Sequence, residues 1–561
     1  MTISRHLRFL VATALCASVV AGVAHAEETL FILGDGVPAT LDTDGPSTTH
    51  PPTQEGMLNL LEPLLDYSIN PANQDGVQTY DFSKFAPALA ESWSFDPSAN
   101  TWTLRLRNNA KSCAGNTFSA DDVLYSFARA KSLSGQAPIG YFLASVGSLK
   151  NFTPALFAKT PEALEARKLG DEVTKIDDHT VRFALSGPNP LFLRVLSVYA
   201  LLIYDSKEMK AHATPDDPWS HAYANTQNAP SFGPWCLESW KKDEQLVVRR
   251  NPDYYGDKPF FDRVVYRRVP QSSNRIAIIR TGGAQIAEGL NPKELNSLRG
   301  MSGLKVTGGY LNSSMFVAMN YKTKPFDNVK LRQAIAYAMP YADLARNAYY
   351  GDAKQWIGLI PSSYPGYLKP RQSYSYDLEK AKVLLAEAGF PGGKGLDAFA
   401  DAFKLAYVAE REGVLGPSVT LIQTRLREIG IPVQLDPLPA TQYADRQLVK
   451  KDLPFAVNDQ AKPIVVDPVY AMRLNFVSPP QGVVNYTNFS DPTFDGLYEK
   501  VLLETDANKR QAILDEMQNM LAEKLPVVPV LETGLLYAQQ ANLKGLVLHP
   551  SQVLIWRLLH R

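Results

Sequence analysis

The 561-residue chain contains few of the residues and motifs that mark reactive or nucleic-acid-binding proteins. It has three cysteines and eight histidines, and His50, His179, His212, His221, His549 and His560 lie after residue 26. None of these is spaced as a metal pair on a helix, and no cysteine pair accompanies them, so no metal centre is expected. Lys plus Arg and Asp plus Glu both number 57. That balance removes the electrostatic reason to expect nucleic acid or an anionic membrane as partner. There is no Gly-x-Ser-x-Gly elbow, and Gly282-Gly283 is not followed by the Gly-Lys-Ser/Thr of a phosphate loop, so it reads as a turn. No cofactor is expected. A scattered triad escapes such a scan, because its members need not be close in sequence.

Long hydrophobic runs are also missing, with one exception. Arg5 and Arg8 precede an apolar stretch from Phe9 to Val23, and Ala24-His25-Ala26 offers a small-x-small cleavage site. This run is short for a membrane span, and no later one is long enough. Leu15 stands before Cys16 where a lipoprotein signal wants a small residue, so lipidation is disfavoured. Residues 1–26 therefore read as a cleaved secretion signal, with Glu27 starting the mature chain. Cys113 and Cys236 remain, in a compartment that permits disulfides. They are either bridged or two separate buried thiols.

What remains is ordinary in composition, 45% apolar and 20% charged, and far longer than one hydrophobic core organises. At least two packed bodies are expected. Trp102, Leu104 and Leu106 alternate with Thr103, Arg105 and Arg107, the pattern of a half-buried strand. Ser119 is placed to cap a helix carrying Val123, Leu124 and Phe127, with Asp122 at its third position. Between Ser231 and Pro270, a Gly-Pro break leads to a strand at Leu246–Arg250, an Asn-Pro turn, an aromatic knot and a β-branched run at Val264–Val269. Asp327 is expected to cap a helix whose inner face is Leu331, Ala334, Ile335 and Ala338. Further helices are predicted from Asp377 and over Pro417–Ile429, the latter followed by a strand at Ile431–Leu435, so the later half reads as α/β.

Several of these stretches together carry a family resemblance. Ala86-Pro87-Ala88-Leu89-Ala90-Glu91-Ser92-Trp93 with the strand after it, Arg250-Asn251-Pro252-Asp253-Tyr254-Tyr255-Gly256, and Pro325-Phe326-Asp327-Asn328 followed by Leu331-Arg332-Gln333-Ala334 resemble the bacterial extracellular solute-binding proteins of family 5. Those proteins serve ABC importers of peptides, opines, sugars or metal chelates. Ser112-Cys113-Ala114-Gly115 replaces the family's usual turn, which marks a divergent branch.

The resemblance implies an α/β, two-lobed periplasmic binding protein fold of type II-like architecture, with an additional subdomain in the first lobe. By it, residues 27–270 form the first lobe, with the subdomain inserted at about 61–185. Residues 271–530 form the second lobe, and 531–561 return to the first. The crossings are expected just after Pro270 and near Pro526 to Val530. A small peptide-like solute would be held by hinge closure and passed to a membrane permease with its ATPase, by a monomer that does no catalysis. The carboxylate that receives the ligand's ammonium is expected at Asp459 or Asp467, each of which is equally open to being a plain turn cap. Trp235, Trp240 and Trp356 are aromatic candidates for the cleft wall, each with core packing as the competing explanation. Asn312, Ser313 and Ser314 are polar candidates at the lobe junction. A secreted hydrolase, or a periplasmic sensor or chaperone on the same fold, stand as alternatives.

Overall fold

The computed structural model describes residues 27–152, 160–461, 463–479, 482 and 484–561. The secretion signal read over 1–26 lies outside the described residues. One 11-stranded sheet runs through both halves of the molecule. From one edge its strands are Gln434–Leu438, Lys404–Val408, Phe455–Ala461, Leu304–Met319, Val527–Gln540, Ile286–Ala287, Thr29–Gly34, Arg263–Arg268, Gln245–Arg250 and Trp235–Lys241, with Ala353–Gln355 beside Val527–Gln540.

The two longest strands, Leu304–Met319 and Val527–Gln540, each contribute to three buried clusters. Met315, Val317 and Met319 pack with Val528, Val530, Leu331, Ile335, Leu405 and Phe455. At the other end of the same pair, Leu304 and Val306 lie against Ile279, Ala287, Leu295, Leu298 and Ala538. Between these ends the ladder is broken, with a register shift between Tyr310 and Ser314. Gly308 is required just before that break, since a Cβ there would come within 1.9 Å of the Leu535 carbonyl oxygen.

This placement moves the expected crossing. The chain does not leave the first lobe at Pro270, because Ile286–Ala287 pairs in parallel with Thr29–Gly34 and the helices Ser272–Arg280 and Pro292–Leu298 cover that part of the sheet. The passage lies instead inside the two long strands. Backbone pairing keeps Ile286–Ala287 on the sheet of the first strand beyond Pro270, where the family resemblance implied a crossing.

Two smaller sheets complete the first half. Val77–Pro87 pairs with Leu65–Ile69 and, in parallel, with Leu546–Leu548. Ala90–Asp96, Thr101–Leu106, Thr180–Ala184 and Val173–Asp177 form a four-stranded sheet covered by the helix Ala120–Lys131. Ser119 and Asp122 make a reciprocal capping box at the start of that helix. Cys113 and Cys236 form a disulfide that ties the turn beside this sheet to the edge strand Trp235–Lys241.

Two helix starts differ from expectation. The cap of Val329–Tyr337 is Asn328, whose side chain accepts from the Lys330 amide, while Asp327 pairs with Lys324. The helix expected from Pro417 begins at Glu412, with Pro417 inside it. Pro417 is the sixth residue of that helix, so it removes the bond its amide would make to the Gly413 carbonyl.

Candidate functional site

Strand direction decides where a ligand can sit. Thr29–Gly34, Arg263–Arg268 and Ile286–Ala287 are parallel and run antiparallel to Val527–Gln540. Phe455–Ala461 and Lys404–Val408 are parallel to each other, and the first runs antiparallel to Leu304–Met319. The long strands themselves are antiparallel. The carboxyl ends of the parallel strands in the two halves therefore face one another, and in open α/β sheets those ends are where ligands bind. Ala287 pairs with Ala538 and Ser314 with Glu532 on the same long strand. The facing ends are thus about six residues apart, roughly 20 Å along the strand.

On the second-lobe side this edge carries an ion pair. Arg411 stands in the turn Ala409–Arg411, between the strand Lys404–Val408 and the helix Glu412–Glu428. Its Nε donates to Asp459 Oδ2 at 2.9 Å, and its Nη2 donates to the same oxygen. Asp459 lies near the end of Phe455–Ala461 with its side chain 7% exposed, while that of Arg411 is 32% exposed. Tyr349 adjoins the pair; its hydroxyl pKa is pushed up first by burial and then by the Asp459 carboxylate, with Arg411 opposing. A cation and an anion are thus held side by side, one of them open to solvent.

On the first-lobe side the edge is acidic. Glu288 follows Ile286–Ala287 and accepts from the Tyr266 hydroxyl at 3.1 Å. Glu55 accepts from Trp556 Nε1 at 2.7 Å and from the Leu554 amide at 3.4 Å. The two carboxyl groups contact each other, and burial raises both pKa values; the Glu55 charge pushes Glu288 up further. Near neutral pH the pair therefore retains a proton.

The other residues expected at the cleft are dispersed. Asp467 caps the helix Pro468–Asn475, accepting from the Val469 amide at 2.9 Å, and is also held by Arg510 and Arg194. Trp235 is 1% exposed within the large apolar cluster that also buries Phe232, Leu246 and Val248. Trp240 lies near the sheet edge, where its Nε1 donates to the Pro38 carbonyl at 3.0 Å. Asn312 bridges the Pro463 and Pro550 carbonyls at 3.1 and 2.7 Å, and Ser313 Oγ meets Thr533 Oγ1 at 2.7 Å. These two act at the junction as structural ties.

Trp356 lines a cavity with Ser314, Phe316, Asn475, Tyr486 and Val527. The space open to water centres there is about 20 Å³, enough for one or two waters. Phe316 and Tyr486 stack across it, ring centres 5.9 Å apart. Asn458 stands opposite Phe316 in register and reaches the Tyr486 hydroxyl, so strand alternation turns Asp459 away from this cavity. The sequence pattern starts this helix at Pro417, whereas it begins at Glu412, directly after Arg411. An arginine between a strand's end and a helix start was the available signal.

Among the described residues no group of three or more His, Cys, Asp or Glu side chains is placed to hold a metal, and no helix is long and apolar enough to cross a membrane. Two lobes joined by crossing strands, with facing carboxyl edges and a charge pair at one of them, define a protein that closes on a solute. Residues 84–481 match the model of the bacterial extracellular solute-binding proteins, family 5. The chain belongs to that family and is a solute-binding protein of the kind that serves ABC importers. It is 28% identical over 485 residues to the dipeptide-binding protein of Escherichia coli (strain K12), covering 83% of this chain and 84% of that one. The heme-binding protein A of Haemophilus influenzae is 26% identical over 483 residues, covering 83% and 82%. In fold the chain is similar to the periplasmic binding protein DppA of Helicobacter pylori in complex with the peptide STSA. That likeness has a TM-score of 0.74 and 23% identity, with 95% and 98% of the two chains covered.

Proposed function

We propose that this protein captures a small peptide, or a related amino-acid-derived solute, between its two lobes in the periplasm. It then delivers the solute, as a monomer without catalysis, to an ABC permease driven by its ATPase. The hinge of this reading is the pair of strands Leu304–Met319 and Val527–Gln540, and the leader over residues 1–26 would be removed on export.

The observation that carries it is the Arg411–Asp459 pair at the second lobe's carboxyl edge. A zwitterionic ligand placed there exchanges one internal ion pair for two, its ammonium on Asp459 and its carboxylate on Arg411. Because the guanidinium is already positioned, little side-chain entropy is lost on binding. The names of the Escherichia coli relative and of the peptide-bound neighbour support the same solute class.

Thermal-shift screening against di- to tetrapeptides, opines, sugars and metal chelates tests this, with calorimetry on any hit. Stabilisation by peptides or opines is expected. A clear shift with a sugar or chelate and none with any peptide or opine would overturn the reading.

A further inference from the structure

Three residues outside the solute site stand together near the surface: Ser134, His221 and Asp42. Ser134 lies in the turn after the helix Ala120–Lys131 and is exposed. Its Oγ is 2.9 Å from His221 Nε2, and His221 Nδ1 is 2.6 Å from Asp42 Oδ2. His221 opens the short helix His221–Thr226 with its side chain 13% exposed, while that of Asp42 is fully buried. A hydroxyl, an imidazole and a carboxylate in that order are the parts of an acyl-transfer triad, which is recognised by geometry and not by sequence position.

The three segments are tied to one another. The Ala137 amide donates to the Asp44 carbonyl at 2.8 Å, and the Gly140 amide donates to Asp44 Oδ1 at 3.0 Å. These bonds fix the Ser134 turn against the segment that carries Asp42. Gly135 lets the two approach, since a Cβ there would come within 2.6 Å of the Asp44 carbonyl oxygen. Asn225, on the helix of His221, donates from Nδ2 to Asp42 Oδ2 at 3.2 Å. Leu133, just before Ser134, has φ of 53°, a left-handed conformation that is uncommon outside glycine and clusters at functional turns.

The protons fall where acyl transfer needs them. Burial would raise the Asp42 pKa, but Arg129 and His221 hold it at about 2, so Asp42 is a carboxylate. As an acceptor it takes the Nδ1 proton of His221 and leaves the Nε2 lone pair facing Ser134. Arg129 Nη2 lies 2.9 Å from the same ring nitrogen and donates to Asp42 Oδ1 at 2.7 Å. The Ser132 hydroxyl stands 2.7 Å from the Arg129 carbonyl and 2.5 Å from Ser134 Oγ. Donating to those two acceptors, it leaves the Ser134 proton to His221.

We propose that Ser134, His221 and Asp42 form a hydrolytic site for small activated esters. Ser134 Oγ bonds to the acyl carbon as its proton passes to His221 Nε2. The ester C–O bond then breaks, and His221 gives that proton to the departing alcohol. Water next bonds to the acyl carbon and loses a proton to His221 Nε2; the bond to Ser134 Oγ breaks, and His221 returns the proton to Ser134. Asp42 touches no reacting atom and is a positioning residue. The site shares no residue with the facing strand edges, and solute delivery needs none of this chemistry, so the two readings stand or fall separately.

Mass spectrometry of the full mature protein treated with a fluorophosphonate, followed by peptide mapping, tests the site. One adduct, on Ser134, is expected. Ser134→Ala should take up none, and His221→Gln should be labelled about a hundredfold more slowly, as loss of a general base implies. Circular dichroism checks that both variants are folded. Wild type should also hydrolyse p-nitrophenyl acetate, at a rate that falls towards the buffer background in Ser134→Ala. No adduct on wild type, an adduct mapped to another residue, equal labelling of wild type and His221→Gln, or unchanged hydrolysis in Ser134→Ala would overturn the proposal.

Discussion

Arg411 and Asp459 sit at the carboxyl ends of adjacent parallel strands, with two guanidinium nitrogens on one carboxylate oxygen. Their backbones are positioned by a strand pair, so the charges stand in place before any ligand arrives. Leucyl-leucine is an apt probe, because it carries both terminal charges and nothing else that ionises. Asp459→Asn and Arg411→Met should each weaken its binding on the order of a hundredfold, the usual loss when one partner of a close charge pair is truncated. An N-acetylated, C-amidated form should lose little further in either variant. Calorimetry reads both, and wild-type affinity in Asp459→Asn would remove Asp459 from the site.

Stability should fall as pH rises from about 4 to 7. Burial raises Asp44 to about 7, and Glu55 and Glu288 are raised in the same direction. In that window the unfolded chain has already released protons that the folded chain still binds, so deprotonation favours unfolding. Asp42 works oppositely. Arg129 and His221 hold it at about 2 against its desolvation, so its contribution is present above the ordinary carboxylate range and lost as pH falls through 2. Glu55→Gln retains an acceptor for Trp556 and offers Glu288 an N–H. Its urea midpoint should therefore drop less between pH 5 and pH 8 than that of wild type. Parallel declines would show that the carboxyl pair does not titrate in this range.

The Cys113–Cys236 disulfide closes a long stretch of chain, with a sequence separation of 123. Replacing both cysteines by alanine should lower the unfolding free energy by about 2–4 kcal/mol, chiefly by freeing the unfolded chain. Urea titrations of the double variant and of wild type under reductant should agree. If reductant leaves the wild-type curve where it was, the bond is absent or carries no stability.

Trp235 and Trp356 offer a contrast between core and cavity. Trp235→Ala should cost about 3–5 kcal/mol, as deletion of a large buried ring does. It should leave ligand affinity unchanged in the protein that remains folded. A loss of affinity without loss of stability would place Trp235 in the site after all.

Much of the fold was legible because local signals agreed with tertiary placement. The alternation at Trp102–Arg107, the Ser119–Asp122 cap and the β-branched run near Val264 all became the predicted elements. The lobe crossing was not legible. It lies inside two strands whose residues alternate as ordinary strand residues do, and only their partners reveal that each end serves a different core. Asp327 against Asn328 shows the same limit on a smaller scale. Both side chains can cap a helix, and in the folded chain Asn328 takes that place while Asp327 pairs with Lys324.

By itself the sequence determined a large two-body α/β chain of the solute-binding family, with a leader-like first segment and no metal or phosphate motif. Periodicity, capping and composition act between residues close along the chain, so they can be read directly. Tertiary structure alone decided that Arg411 joins Asp459, that Arg194 reaches Asp467, and that Trp235 is core while Trp356 meets a cavity. Those outcomes depend on the direction and register of strands far apart in sequence. A one-residue change in register would turn each side chain to the opposite face.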